Sequence, residues 1–188
     1  MCPGASVDSN DFNDSNIVLT GFMGTGKSAV GERVARQLGR RLVDMDAEIE
    51  ARAGKSIPRI FAEEGEASFR KLEATLCREL SRERGLVVAT GGGALVDPDS
   101  RRCMMASGTV VCLTASPARI LERVARSGGP ERPLLDVPDP RAAVVQLLEA
   151  RRAAYAAIPW QLDTGQLSVE QVAERVVALA QVITLRVH

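Results

Sequence analysis

The sequence predicts an α/β fold, a three-layer α/β/α sandwich built on a five-stranded parallel sheet with a mobile lid. Short runs rich in Val, Ile and Leu alternate with helical patterns along the whole chain, the order expected of strand-helix-strand units. Most of these runs are continuously apolar rather than alternating, which marks strands covered on both faces. Residues 21–28 read GFMGTGKS, a complete G-x-x-x-x-G-K-[ST] phosphate-binding loop, directly after the first apolar run. Such a loop joins a buried strand to a helix N-terminus.

The elements follow in order. Ile17, Val18 and Leu19 form the first strand, and residues 28–38 carry apolar positions at helical spacing until Gly39 ends the helix. Residues 41–44 give a short second strand, and residues 46–53 a helix closed by Gly54. A helical stretch opens near Ser56, with Pro58 tolerated in its first turn, and a longer one covers residues 67–84. Residues 86–90 are an apolar strand running into Gly91, Gly92 and Gly93, and residues 109–113 repeat that signature after another helix. Pro117 opens a helix to about Arg126. The Gly/Pro-rich residues after it cannot continue it, so the mobile lid is expected at about 127–138. A long amphipathic helix over 139–157, a short strand at 160–163 and a last helix from Ser168, with Val172, Val176, Val177 and Leu179 on its apolar side, complete the domain.

One domain is expected over residues 17–183, preceded by a flexible polar extension over residues 1–16. Lys plus Arg and Asp plus Glu stand at 24 each. The balanced charge argues against recruitment of nucleic acid or an anionic membrane. No run approaches the roughly 18 apolar residues of a membrane helix. Cys2, Cys77, Cys103 and Cys112 show no C-x-x-C pairing, so reduced thiols and a cytoplasmic location are expected. The single histidine is His188, which excludes histidine triads and leaves Asp or Glu as the base.

The loop glycines let backbone amides wrap a phosphate, Lys27 supplies a point charge for the β and γ oxygens, and the Ser28 hydroxyl is placed to ligate Mg²⁺. The expected nucleotide contacts are Gly24, Thr25, Gly26, Lys27, Ser28 and Ala29. Asp44 and Asp46 lie two residues apart, on one side if the chain stays extended. One would hold the Mg²⁺ shell and the other a substrate hydroxyl, while Asp46 reads equally as the N-cap of the next helix. Three consecutive glycines after a buried strand suggest backbone pressed against a ligand, or a flexible loop. Arg70, Arg132 and Arg151 are by default solvated; Arg132 in the lid could also close over phosphates.

Taken together, residues 21–28, 43–50 (VDMDAEIE), 60–73 (IFAEEGEASFRKLE), 91–94 (GGGA), 132–135 (RPLL) and 151–155 (RRAAY) resemble the shikimate kinase family, small P-loop enzymes similar to nucleoside monophosphate kinases. The resemblance implies phosphorylation of shikimate by ATP with Mg²⁺, in aromatic amino acid biosynthesis. It implies that Asp46, Arg70, Gly91, Gly92, Gly93 and Arg151 hold shikimate, with Phe61 and Phe69 lining its pocket and Glu73 bracing Arg70. It further implies that Ser28 and Asp44 serve the metal, that Lys27, Asp46 and Arg132 are catalytic, that Arg126 stacks on adenine and that the chain is a monomer.

Two departures stand out. The run Arg151-Arg152 admits either arginine, and Arg151 is preferred because Tyr155 follows one helical turn later on the same face. Leu167, where a polar residue is more usual, leaves adenine contacts at that loop to the backbone. The alternatives are a kinase of another polyol acid such as gluconate, and a non-catalytic nucleotide-binding module.

Overall fold

The computed structural model describes residues 14–126 and 137–186. Arg132, Cys2, His188, most of the expected lid and most of the polar extension lie outside the described residues. Five strands form one parallel sheet in the order β2-β3-β1-β4-β5, where β1 is Asn16–Gly21, β2 Leu42–Asp44, β3 Val87–Ala89, β4 Gly108–Thr114 and β5 Trp160–Asp163. Register is set by Ile17 opposite Val87 and Thr109, with Leu42 opposite Val87 on one flank and Val111 opposite Trp160 on the other.

Seven helices are seen among the described residues: α1 (Lys27–Leu38), α2 (Met45–Ala53), α3 (Ile57–Leu80), α4 (Pro98–Ser107), α5 (Pro117–Arg126), α6 (Pro140–Ala156) and α7 (Val169–Arg186). The strand pleat divides the core. Ile17, Leu19, Val87, Val111 and Leu113 point to one face and pack on Val30 and Val34 of α1 and Val172, Val176 and Val177 of α7. Val18, Val88, Val110 and Cys112 point to the other, against Ile49, Ile60, Leu76, Met104, Ile120 and Val144 of α2 to α6. Each buried Val, Leu or Ile contributes about 1.5–3 kcal/mol relative to exposure, so both faces are needed to hold the three layers.

Several local expectations are refined. The two helical stretches expected from Ser56 and over residues 67–84 are one element, bent at Gly65, whose φ of 81° and ψ of 167° interrupt the helix. No atom lies within 4 Å of a Cβ built there, so the glycine is needed for its backbone angle and not for space. The helix also ends at Leu80, short of residue 84. Asn16 explains this: its buried amide donates to the carbonyls of Leu80 and Glu83, at 3.3 and 2.9 Å, and accepts from the Leu86 N–H at 2.9 Å. It thus caps α3 and starts β3 together. Asn16 was assigned to the polar extension and instead opens β1, fully buried. Ser168 and Gln171 bond each other's backbone N–H groups at the start of α7, a reciprocal cap.

Candidate active site

The loops at the carboxyl ends of β1, β2 and β3 open on one side of the sheet, where a parallel α/β sheet places its ligands. They surround a cavity of about 380 Å³ whose lining includes Met23, Gly24, Gly26, Lys27, Ser28, Ala29, Asp44, Asp46, Glu50, Phe61, Phe69, Arg70, Glu73, Thr90, Gly92, Gly93 and Arg151. Thirteen of the expected site residues therefore share one cavity: Gly24, Gly26, Lys27, Ser28, Ala29, Asp44, Asp46, Phe61, Phe69, Arg70, Gly92, Gly93 and Arg151.

On one wall, α1 begins at Lys27 after Gly26, with no side-chain cap and no acidic residue in its first turn. Its first-turn amides and partial positive charge thus face the cavity without an internal anion to compensate them. The Lys27 ammonium donates to the Phe22 carbonyl at 3.0 Å, over the loop. Thr25 is turned inward: its hydroxyl and its N–H both donate to that same carbonyl, so it shapes the loop from within.

The Ser28 hydroxyl donates to Asp44 Oδ2 at 2.6 Å, while Asp44 Oδ1 accepts from the Asp46 and Ala47 N–H groups. The cap of α2 is thus Asp44 and not Asp46. The helix starts at Met45, so the two carboxylates are brought to the cavity by a strand-to-helix turn and not by the extended alternation expected from their spacing. Asp46 is left free to face the cavity.

A divalent cation fits this donor set. Ser28 and Asp44 offer hard oxygens, suited to Mg²⁺. Among the described residues no group of three or more His, Cys, Asp or Glu side chains could hold a metal ion. The hydroxyl of Thr90, buried in the lining of the same cavity, has no hydrogen-bond partner.

The opposite wall is cationic above and acidic below. Arg70 donates through Nη1 to Glu73 at 2.6 Å, and through Nη2 and Nε to Glu66 at 2.7 and 3.1 Å. Three of the five guanidinium N–H groups are thereby used, and two remain. The Glu66 pair is solvent-exposed and weak, so it is readily exchanged for a ligand. Arg70 lies 5.4 Å from the ring centre of Phe69, which packs 5.0 Å from that of Phe61.

Arg151 is the more deeply placed cation. It is 7% exposed, lies 5.3 Å from the centre of the Phe22 ring and donates to the Gly92 carbonyl at 3.2 Å. Tyr155 donates to the same carbonyl at 2.6 Å. Arg152 points outward and pairs with Glu149, so the preference for Arg151 agrees with the geometry.

Burial pushes the carboxyls of Asp46 and Glu73 above their usual range. For Asp46, Asp44 and Glu50 add to the effect while Lys27 and Arg70 oppose it. For Glu73, the Arg70 guanidinium opposes it and Asp46 adds to it.

Two of the three glycines are closely approached by side-chain ends, while a Cβ on Gly92 would meet only ordinary contacts. A Cβ on Gly91 would stand 2.5 Å from Glu73 Oε1 and 2.7 Å from Asp46 Oδ1, and one on Gly93 would collide with Arg70 Nη1 and lie 2.8 Å from its Cζ. Gly93 has an ordinary φ of −108°, so Gly93→Ala adds no backbone strain and acts only by moving Arg70. We expect it to raise the KM for the acceptor substrate by about a hundredfold, the scale of an ångström-sized misplacement. Its ADP affinity should stay unchanged in a binding titration.

Other expected residues lie elsewhere. Gly91 sits beneath the cavity, between the two acids. Arg126 is exposed on the outer side of α5 and pairs with Glu122 at 3.4 Å. Leu167 packs on the α1/α7 face of the core. Glu50 was missed, although it follows Asp46 by one helical turn; its Oε1 accepts the Ile57 N–H at 2.8 Å and ties α2 to α3.

Comparison with known proteins places the chain in a family. The family model described as "Shikimate kinase" matches residues 23–181. The chain is 49% identical over 154 residues to a shikimate kinase of Desulforudis audaxviator, covering 82% of this chain and 80% of that one. It is 50% identical over 157 residues to one of Geobacter sulfurreducens, covering 84% and 86%. A solved shikimate kinase from Acinetobacter baumannii in complex with shikimate superposes with a TM-score of 0.87 at 36% identity, over 94% of this chain and 99% of that one.

Proposed function

The chain belongs to the shikimate kinase family, and we propose on that premise how its cavity divides the phosphorylation of shikimate by ATP among its residues. The observation that carries the assignment is the pairing, within one cavity, of a phosphate loop with two arginines and a carboxylate across from it. The loop and the start of α1 take the donor; Arg70, Arg151 and Asp46 take the acceptor. A guanidinium fork suits a carboxylate better than a lysine does, so the two arginines hold the acid group of shikimate. Asp46 accepts from a ring hydroxyl and orients the attacking oxygen.

Lys27 stabilises charge on the transferred group, with Arg132 completing that role from the lid. Ser28 and Asp44 would hold Mg²⁺, which would supply charge neutralisation on the transferred group. Glu73 braces Arg70, and Phe61 and Phe69 wall the acceptor end. Arg126 and the loop at Leu167 serve the adenine end. We place the protein as a cytoplasmic monomer. The free Cys77, Cys103 and Cys112 support a reducing compartment, and no described helix is long and apolar enough to cross a membrane.

An ADP-release assay over shikimate, quinate, gluconate and buffer tests the reading. Shikimate should stimulate release far above the others. Faster release with gluconate would favour a kinase of an open-chain acid, and equal rates in all four would mark a non-catalytic module.

A further inference from the structure

The phosphate loop does not stand alone. Gly24 leans on α5, where a Cβ would come within 3.2 Å of the Ile120 carbonyl and of a Val124 methyl. One turn of the same helix sends Arg123 across to the loop after β5: Nη1 donates to Thr164 Oγ1 at 2.8 Å and Nη2 to the Thr164 carbonyl at 2.6 Å. Nη1 also reaches the Gly24 carbonyl at 3.4 Å. Thr164 is 2% exposed, and its hydroxyl lies 3.2 Å from the Thr25 carbonyl and 3.1 Å from that of Thr114. Arg119, one turn earlier on the same face, donates through Nε to the Gly165 carbonyl at 3.0 Å.

A single guanidinium therefore joins three segments distant in sequence: the phosphate loop, α5 and the loop at 163–165. Its planar fork fixes their spacing, because two parallel N–H groups engage two oxygens of one residue. We infer that Arg123 is a positioning residue for the donor nucleotide, setting the distance between the cradle for its phosphates and the loop that meets its base. This rests on the reading above that the nucleotide spans from the phosphate loop to the region of Leu167. The hydrogen bonds of Arg123 join Gly24 to Thr164, so its effect falls on a ligand long enough to bridge both ends.

The test compares ligands by length. Calorimetric titrations of the full chain and of Arg123→Ala use ADP, inorganic pyrophosphate and shikimate. The variant should bind ADP about tenfold or more weakly, the worth of a charge-assisted hydrogen bond, with pyrophosphate and shikimate each within about threefold of the parent. Equal weakening of ADP and pyrophosphate would reduce Arg123 to a structural support of the phosphate loop and overturn the inference, as would unchanged ADP affinity. Should Arg123→Ala fail to fold, the isosteric Thr164→Val removes only the hydroxyl between Arg123 and Thr25, and the same selective loss for ADP is expected from it; equal effects on ADP and pyrophosphate would again overturn the inference. The parent protein is the separate control: if it binds pyrophosphate but not ADP, the donor reading itself has failed, whatever the variants do.

Discussion

Arg70→Ala is expected to lower kcat/KM for shikimate by about thirtyfold or more, corresponding to the roughly 2 kcal/mol at the low end of the cost of removing one partner of a hydrogen-bonded charge pair, since this pair is only partly buried. Two losses combine. On the assignment proposed above the substrate carboxylate forfeits the two N–H groups left over on the guanidinium, and Glu73, itself only 2% exposed, forfeits its cation. Glu73 already has one oxygen without a partner. Without Arg70, which opposes the effect of burial, its carboxyl is pushed further above its usual range. The nucleotide wall is untouched, since none of the hydrogen bonds shown for Arg70 reaches the phosphate loop or α1. Initial-rate kinetics with shikimate varied, alongside an ADP titration, separate the two ends: ADP affinity should stay within about threefold of the parent. An equal loss of ADP binding would contradict the division between donor and acceptor walls. Arg70→Lys should recover only part of the rate, because a point charge cannot occupy Glu73 and a carboxylate with fixed parallel donors.

What was legible in the sequence follows the range of the forces involved. The phosphate loop, the buried strands and the helix stops at Gly39 and Gly54 are written in contiguous residues, and each lies within a residue or two of its expected place. Arg151 was preferred over Arg152 because of Tyr155 one turn on, and both side chains do meet the Gly92 carbonyl. Local rules failed where two of them competed for the same residues. Asp44 and Asp46 are both competent caps; Asp44 takes the role because its second oxygen also receives the Ser28 hydroxyl, from a residue 16 positions earlier. The stretch from Ser56 and the one over residues 67–84 read as two helices, whereas the chain continues as one, with a bend at Gly65 that leaves Phe61 on one side and Phe69, Arg70 and Glu73 on the other facing the same cavity.

The triple glycine shows a different limit. A run of glycines suggests freedom or a ligand's close approach, but Gly91 and Gly93 make room for Asp46, Glu73 and Arg70, side chains of this same protein. No property of residues 91–93 alone specifies which atoms fill that room. Arg123 is the extreme case, joined to Thr164 across 41 residues and to Gly24 across 99. In the sequence it is one arginine of several on an exposed-looking helix, and only the packing of α5 against the phosphate loop gives it partners.

Lys27→Ala should leave ADP binding within several-fold of the parent while lowering kcat by about a hundredfold to a thousandfold, the usual scale for removing one donor aimed at developing charge. The separation follows from who else serves the phosphates. The N–H groups at the start of α1 remain, with no acidic residue in that turn, and on the assignment proposed above they would hold a diphosphate in ground and transition state alike. Lys27 is different because its ammonium sits on a mobile stem over the loop, bonded to the Phe22 carbonyl, and can follow charge as it shifts to the transferred group. Loss of an interaction made chiefly in the transition state lowers kcat and kcat/KM together, with little change in KM. Single-turnover measurements with saturating shikimate would show it directly, because slow product release then cannot mask the chemical step. If kcat held while KM for ATP rose by the same factor, Lys27 would be a binding residue only, and the charge on the transferred group would have to be met by another cation.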